Sequence, residues 1–254
     1  MFPRTTGGFL WPRESGNVTK HDTSNYYLKL AAAFVRGRYA LGDRFRLPDE
    51  LCRKPLDDLS RDELAAIFRC GVEAGLKLHK FKRTTELARV RRVFGVLRSL
   101  APENVLDVGS GRGVFLWPLL EEFSGVPVTA IDSDPGRARD LEAVRLGGIE
   151  RLAAHEMDIT ELAFDAGAFD VTTLLEVLEH IPAVGRAVAE AVRVTRRFVV
   201  VSAPSKPDDN PQHIHLLGAD RLRELFAAAG VTRVSFEYVL GHVIAVANVQ
   251  AEPC

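Results

Sequence analysis

The sequence predicts an α/β fold: a seven-stranded, mostly parallel sheet with helices on both faces, an antiparallel C-terminal hairpin at one edge, and an N-terminal helical extension. Three observations carry this. After Pro102, short apolar runs alternate with helical stretches, the pattern of parallel strands joined by crossover helices. The end, "VTRVSFEYVLGHVIAVANV", offers two strands joined at Leu240-Gly241-His242 with no room for a crossover helix, so that pair is antiparallel. The first hundred residues are helical in pattern and differ in charge, with 20 Lys and Arg against 11 Asp and Glu, while the remainder has 13 against 23. That division suits a polyanion-binding arm or a basic cap on an acidic domain equally well.

Taken in order, residues 1–22 mix Pro, Gly, Thr and charges without period and read as a flexible tail. Residues 23–100 read as the basic helical cap, and residues 101–254 as the domain that carries the sheet. In "SNYYLKLAAAFVRGRY" Tyr27, Leu30, Ala31, Phe34 and Val35 recur at helical spacing. Ser60-x-x-Glu63 reads as a capping box opening a helix to about His79. In "TTELARVRRVFGVLRSL" Leu87, Val90, Phe94 and Leu97 form one stripe, with Arg89, Arg91, Arg92 and Arg98 mostly off it. Strands follow at 105–108, 128–131, 152–157, 169–175 and 198–202. Helices are expected up to about Phe123, over 135–146, 182–194 and 219–229. Trp117-Pro118 falls where the first of these helices should be established, so that helix begins late or kinks.

With 254 residues, 46% hydrophobic and 26% charged, the chain can build one sizeable core plus an accessory segment. No apolar run reaches the roughly 18 residues a membrane span needs, and the start lacks the basic-then-apolar order of a secretory signal. A cytoplasmic protein without a membrane partner is the expectation. Cys52, Cys70 and Cys254 are few, odd in number and never in C-x-x-C spacing, which suggests neither a disulfide framework nor a thiolate zinc site.

The strongest local signal is "VLDVGSGRGVF". A buried strand runs into Gly109-Ser110-Gly111-Arg112-Gly113, where missing side chains let the backbone turn sharply and approach a ligand at the strand's carboxyl end. The third glycine comes one residue earlier than in the G-x-G-x-x-G dinucleotide fingerprint. Nineteen residues beyond Gly113, Asp132 ends a second strand, where a carboxylate can accept from both hydroxyls of a ribose. An adenosine ligand without a demanded phosphate fits this combination.

These residues, with "EMDIT" after the third strand, "FDVTTLLEVLEHI" at the fourth and the terminal hairpin, resemble the class I S-adenosylmethionine-dependent methyltransferases over about residues 100–249. The resemblance implies a Rossmann-like fold and S-adenosylmethionine as cofactor. By position it gives the Gly109, Gly111 and Gly113 loop and Asp107 to the methionine end and Asp132 to the ribose. Asp158 and Ile159 would take the adenine, and Leu175 with Glu176 would form the floor beside the sulfonium. An acid opening a short helix is also an ordinary N-cap, so Asp158 has both readings.

If residues 176–180 are helical, Glu176, Glu179 and His180 lie at i, i+3 and i+4 on one face and converge. Carboxylates with imidazole suit a divalent ion such as Mg, Mn or Zn. The loop after the fifth strand supplies His213 and His215, two apart, so an extended segment cannot aim both the same way. The run is similar to that of small-RNA 2′-O-methyltransferases and of ubiquinone-pathway O-methyltransferases. That similarity implies a metal set of Glu176, Glu179, His180 and His213 holding Mg or Mn. The expected catalytic residues are Glu176, His180 and His213, the histidines as base or metal ligand.

The leading expectation is O-methylation of a small-molecule acceptor. The alternatives are divalent-metal-dependent methylation of RNA ribose, using the basic residues from Lys77 to Arg98, and a cofactor-binding module without turnover.

Overall fold

The structure, a computed structural model, describes residues 23–81, 87–207 and 209–250. The tail expected over 1–22 lies outside them, as do Lys82 and Arg83 of the basic stretch and Cys254. The helices are α1 (Thr23–Ala40), α2 (Asp49–Arg53), α3 (Arg61–Glu73), α4 (Ala88–Leu100), α5 (Leu116–Glu122), α6 (Pro135–Leu146), α7 (Val184–Val194) and α8 (Ala219–Ala228). The strands are β1 (Val105–Val108), β2 (Val128–Asp132), β3 (Leu152–Glu156), β4 (Phe169–Leu175), β5 (Thr195–Pro204), β6 (Arg233–Val239) and β7 (His242–Asn248). They form a seven-stranded sheet in the order β3-β2-β1-β4-β5-β7-β6. The β1–β2, β2–β3 and β4–β5 pairs are parallel, and β7 runs antiparallel to both β5 and β6. The α/β class and the antiparallel edge expected from the sequence are therefore the ones observed. Among the described residues no helix is long and apolar enough to cross a membrane.

The chain divides into two compact units. One contains α1–α3, β1, α5, β2, α6 and β3; the other contains α4 and the chain from Phe164 onward. The residues expected as a single basic cap are thus divided, with α1–α3 in the first unit and α4 in the second.

In the first unit α1 packs on α6, and the predicted stripe is the buried face: Leu30, Ala31 and Val35 are fully buried and Phe34 is 2% exposed. The two helices approach at backbone distance, since a Cβ on Gly37 would fall 1.7 Å from the Ala143 carbonyl oxygen. The capping box of α3 is formed as expected: Glu63 N donates to Ser60 Oγ and Ser60 N to Glu63 Oε2. This helix ends at Glu73, not near His79. Gly75, at φ +75, lets its own N–H reach Val72 O while Leu76 N reaches Gly71 O, a paired closure of the helix end. Residues Leu78–Lys80 then form a separate 3-10 turn. Helix α5 begins late, at Leu116. Pro118 therefore sits in the first turn, where its missing N–H has no intrahelical partner to lose.

In the second unit the fully buried Asp170 of β4 pairs with Arg196 (2.8 Å) and Arg197 (2.7 Å) of β5, and Arg197 also donates to Leu100 O at the end of α4. Helix α4 lies along β6 and β7, where Arg92 pairs with Glu237 at 2.6 Å. Leu240 (φ +43) and Gly241 (φ +84) make the two-residue turn between β6 and β7, as two successive left-handed residues should.

Candidate functional site

In the first unit the glycine loop leaves the carboxyl end of β1. Gly109, Gly111 and Gly113 have φ of +66, +55 and +78, a conformation that a Cβ penalises. Asp107 is buried and accepts from Ser110 Oγ at 2.7 Å, which draws the loop back over its strand. Asp132 ends β2 and is 4% exposed; its Oδ2 accepts from Gly111 N (2.8 Å) and its Oδ1 from Asp134 N (3.0 Å). Each carboxylate oxygen retains a second lone pair, so Asp132 can hold the loop and still accept from a ligand hydroxyl. Among the described residues beyond its two neighbours, a Cβ on Gly111 would meet nothing closer than Gly109 O at 3.7 Å, so that side of the loop is open. Backbone turned by glycines, an open flank and an adjacent acid fit an adenosine-type cofactor.

Asp158 follows β3 and is exposed. Its Oδ1 accepts from Thr160 N (2.8 Å) and Thr160 Oγ1 (2.9 Å), which closes a local turn; no helix opens there among the described residues, so the expected N-cap is absent, while Ile159 beside it is buried.

In the second unit the "LLEVLEHIP" stretch departs from the helical face expected of it. Leu175, partly exposed, ends β4, and Glu176 takes φ +58. Only Leu178–His180 form a turn, of the 3-10 kind. Glu176 is thereby turned away from Glu179 and His180. Its Oε1 accepts from Ser202 Oγ (2.7 Å), its Oε2 lies 3.0 Å from His242 Nε2, and Arg89 Nε stands 3.6 Å away. The left-handed conformation of a non-glycine residue costs about 1–2 kcal/mol, which the Ser202 and His242 interactions offset.

Glu179, His180 and His213 do come together, with ligand atoms within 4.8 Å of one another. Glu179 is fully buried, and its backbone carbonyl accepts from Ile214 N (2.9 Å) and His215 N (3.3 Å), which docks the loop after β5 on this turn. His180 Nδ1 lies 2.9 Å from Gln212 O. A carbonyl only accepts, so Nδ1 carries the proton and Nε2 is the basic nitrogen of the neutral ring. The His213 ring centroid is 4.9 Å from that of His180, whereas His215 Nε2 donates to Ile181 O. Ligand atoms around one ion at about 2.1 Å stand roughly 3.0–4.2 Å apart, so a cluster whose ligand atoms lie within 4.8 Å has the right donors and a spacing near the one an ion requires. Asn210 Nδ2 also donates to His213 Nε2, and an ion taken at that nitrogen has to displace the amide.

Of the predicted metal set, then, three residues are gathered and Glu176 is not. Ser202, His242 and Arg89 around Glu176, and Gln212 and Asn210 behind the histidines, were not found from the sequence. They meet their partners only through strand pairing and loop docking.

Residues 106–200 match a methyltransferase domain family. The matched stretch holds the glycine loop, Asp132 and the Glu-Glu-His run, and the fold is one shared with solved S-adenosylmethionine-dependent methyltransferases. A ubiquinone biosynthesis O-methyltransferase of Sodalis glossinidius is 36% identical over 98 residues, 37% of this chain and 37% of that protein. The chain matches about a third to a half of the length of such curated relatives. Among solved structures, an O-methyltransferase family protein from Burkholderia thailandensis superposes with TM-score 0.51 at 17% identity, over 88% of this chain and 73% of that one. An S-adenosylmethionine-dependent methyltransferase from Aquifex aeolicus gives TM-score 0.51 at 15% identity, over 66% of this chain and all of that one. At such identities the structural likeness speaks for the fold alone.

Proposed function

We propose that the protein transfers the methyl group of S-adenosylmethionine to a hydroxyl of a small-molecule acceptor, with His180 as the base. The observation that carries this is the tautomer fixed by Gln212 O, which leaves His180 Nε2 as a proton acceptor between Glu179 and His213. Gly109 to Gly113, Asp107 and Asp132 hold the cofactor, with Asp158 and Ile159 as further contacts. Transfer from a sulfonium to oxygen needs the oxygen's lone pair aligned and its proton removed; the chain orients both partners and takes the proton at Nε2. Glu176, held by Ser202 and His242, positions the acceptor and is not itself a metal ligand.

The donor set of Glu179, His180 and His213 also suits Mg or Mn, which when bound would supply Lewis-acid activation of the acceptor hydroxyl. The ubiquinone-pathway relatives favour an oxygen acceptor. The RNA alternative is not favoured: Lys80 pairs with Asp140, Arg92 with Glu237, and Arg89 stands beside Glu176, which leaves fewer cations for a phosphate backbone.

The test is release of S-adenosylhomocysteine with a panel of phenols and catechols, for the wild type and for His180→Asn, whose amide can keep the Gln212 bond. A loss in kcat of about 10²–10⁴ is expected for the variant. Cofactor binding without turnover on any hydroxyl acceptor would reduce the protein to a binding module, and full activity in His180→Asn would remove the base. Activity lost with a chelator and restored by Mg or Mn would assign the ion to the cluster.

A further inference from the structure

We propose that Trp117 is a positioning residue that holds the glycine loop in its cofactor-receiving shape, and that Phe81 and Tyr26 of the N-terminal segment hold Trp117. The proposal rests on the reading of Gly109–Gly113 as the cofactor cradle. Trp117 is the second residue of α5 and is buried. Its indole Nε1–H donates to Arg112 O at 3.0 Å, inside the loop, and its backbone N donates to Gly113 O, also at 3.0 Å. A Cβ on Gly113 would lie 2.0 Å from Nε1 and 2.1 Å from Cε2. The ring therefore fills the space that a side chain at position 113 would take, and the inner wall of the loop is an indole.

The remaining groups of the loop are fixed one by one. Gly109 N and Ser110 N donate to Ile131 O, Gly111 N to Asp132 Oδ2, and Gly113 N to Ser110 O. The Arg112 carbonyl is the group to which Trp117 supplies a donor. A loop ordered before its ligand arrives does not pay that ordering out of the binding energy, so Trp117 acts on affinity without needing to touch the cofactor.

Trp117 is itself wedged. The Phe81 ring stands 5.4 Å from the indole and 5.1 Å from Phe34 of α1, and the Lys80 ammonium lies over Phe34 at 4.1 Å. Tyr26 Oη donates to Trp117 O at 3.3 Å. An unbroken line of buried rings thus runs from α1 to the loop, and it gives the N-terminal helices a part in cofactor binding that their basic charge does not suggest.

The sequence has two tryptophans, so Trp11→Phe leaves Trp117 as the sole reporter. In that background, titration with S-adenosylhomocysteine is expected to change the indole emission. In calorimetry, Trp117→Phe, which keeps a ring but loses the N–H, is expected to raise Kd roughly three- to tenfold, the scale of one intramolecular hydrogen bond. Phe81→Leu is expected to raise it in the same direction, with circular dichroism showing both variants folded. A folded Trp117→Phe with wild-type Kd, or emission unmoved at saturation, overturns the proposal, and the emission arm stands even if the variant does not fold. A normal Kd in Phe81→Leu overturns the part given to the N-terminal segment. Failure of the wild type to bind S-adenosylhomocysteine would instead refute the cofactor reading itself.

Discussion

Replacing Gly113 by Ala puts a Cβ 2.0 Å from the Trp117 indole nitrogen on a backbone at φ +78, whereas the same change at Gly111 meets nothing closer than 3.7 Å at φ +55. Both variants carry the left-handed penalty, about 1–2 kcal/mol. Only Gly113→Ala adds the cost of overpacking, typically about 1–3 kcal/mol, because the indole is buried and held by Phe81 and the Arg112 carbonyl. The expected losses in unfolding free energy are about 3 kcal/mol for Gly113→Ala and about 1 kcal/mol for Gly111→Ala, read by chemical denaturation in the absence of ligand. For cofactor binding the order reverses in kind. Gly111→Ala yields a folded protein whose added methyl lies on the open side of the loop, so its affinity for S-adenosylhomocysteine drops out of proportion to its small stability loss. A double-mutant cycle of Gly113→Ala with Trp117→Ala isolates the steric part, with an expected coupling of about 1–3 kcal/mol. Equal destabilisation at 111 and 113, or a coupling near zero, would refute the claim that the indole forms the wall of the loop.

Two further outcomes follow from the same coordinates. Asp170→Asn should cost about 2–3 kcal/mol in denaturant unfolding, less than for a wholly buried ion pair because Arg196 is 52% and Arg197 29% exposed; an unchanged midpoint would show that the pairs contribute nothing. Hydrogen bonds from Lys54 and Ser60 pull the Glu63 carboxyl down to about 2. Its contribution is therefore fully present above about pH 4.5, neutral pH included, and is lost as pH falls toward 2, so Glu63→Gln should lower the denaturation midpoint at neutral pH and flatten the acid limb, with variant and wild type converging near pH 2.

The fold was legible because its signals are local. Alternation of apolar runs with helical stretches, the glycines after β1 and the short Leu240-Gly241 connection each act within a few residues, and the α/β class and the antiparallel edge follow from them, while the strand order does not. The end of α3 could have been read at Gly75, a glycine followed by Leu76, which makes the closing bond to Gly71 O. The division of the N-terminal segment could not. The stripes of α1 and α4 show that each must bury a face, but not that α1 finds α6 while α4 finds β6 and β7.

The Glu-Glu-His run shows where spacing stops being a guide to chemistry. The i, i+3, i+4 argument requires an α-helix, and a strand end followed by a left-handed residue and one 3-10 turn separates Glu176 from the other two. What gathers Glu179 with His180 and His213 is the docking of Ile214 N and His215 N on the Glu179 carbonyl, an interaction between segments far apart in the chain. The result is two carboxylates of opposite character within four residues. Glu176 is turned toward Ser202 and His242, where it is suited to orienting a neutral or cationic group. Glu179 is buried against two imidazoles, where it is suited to a cation or to supporting a histidine that takes up a proton. Exchanging each glutamate singly for glutamine separates these roles. A loss confined to the acceptor's KM in Glu176→Gln and to kcat in Glu179→Gln is the expected split, and the reverse pattern would exchange their assignments.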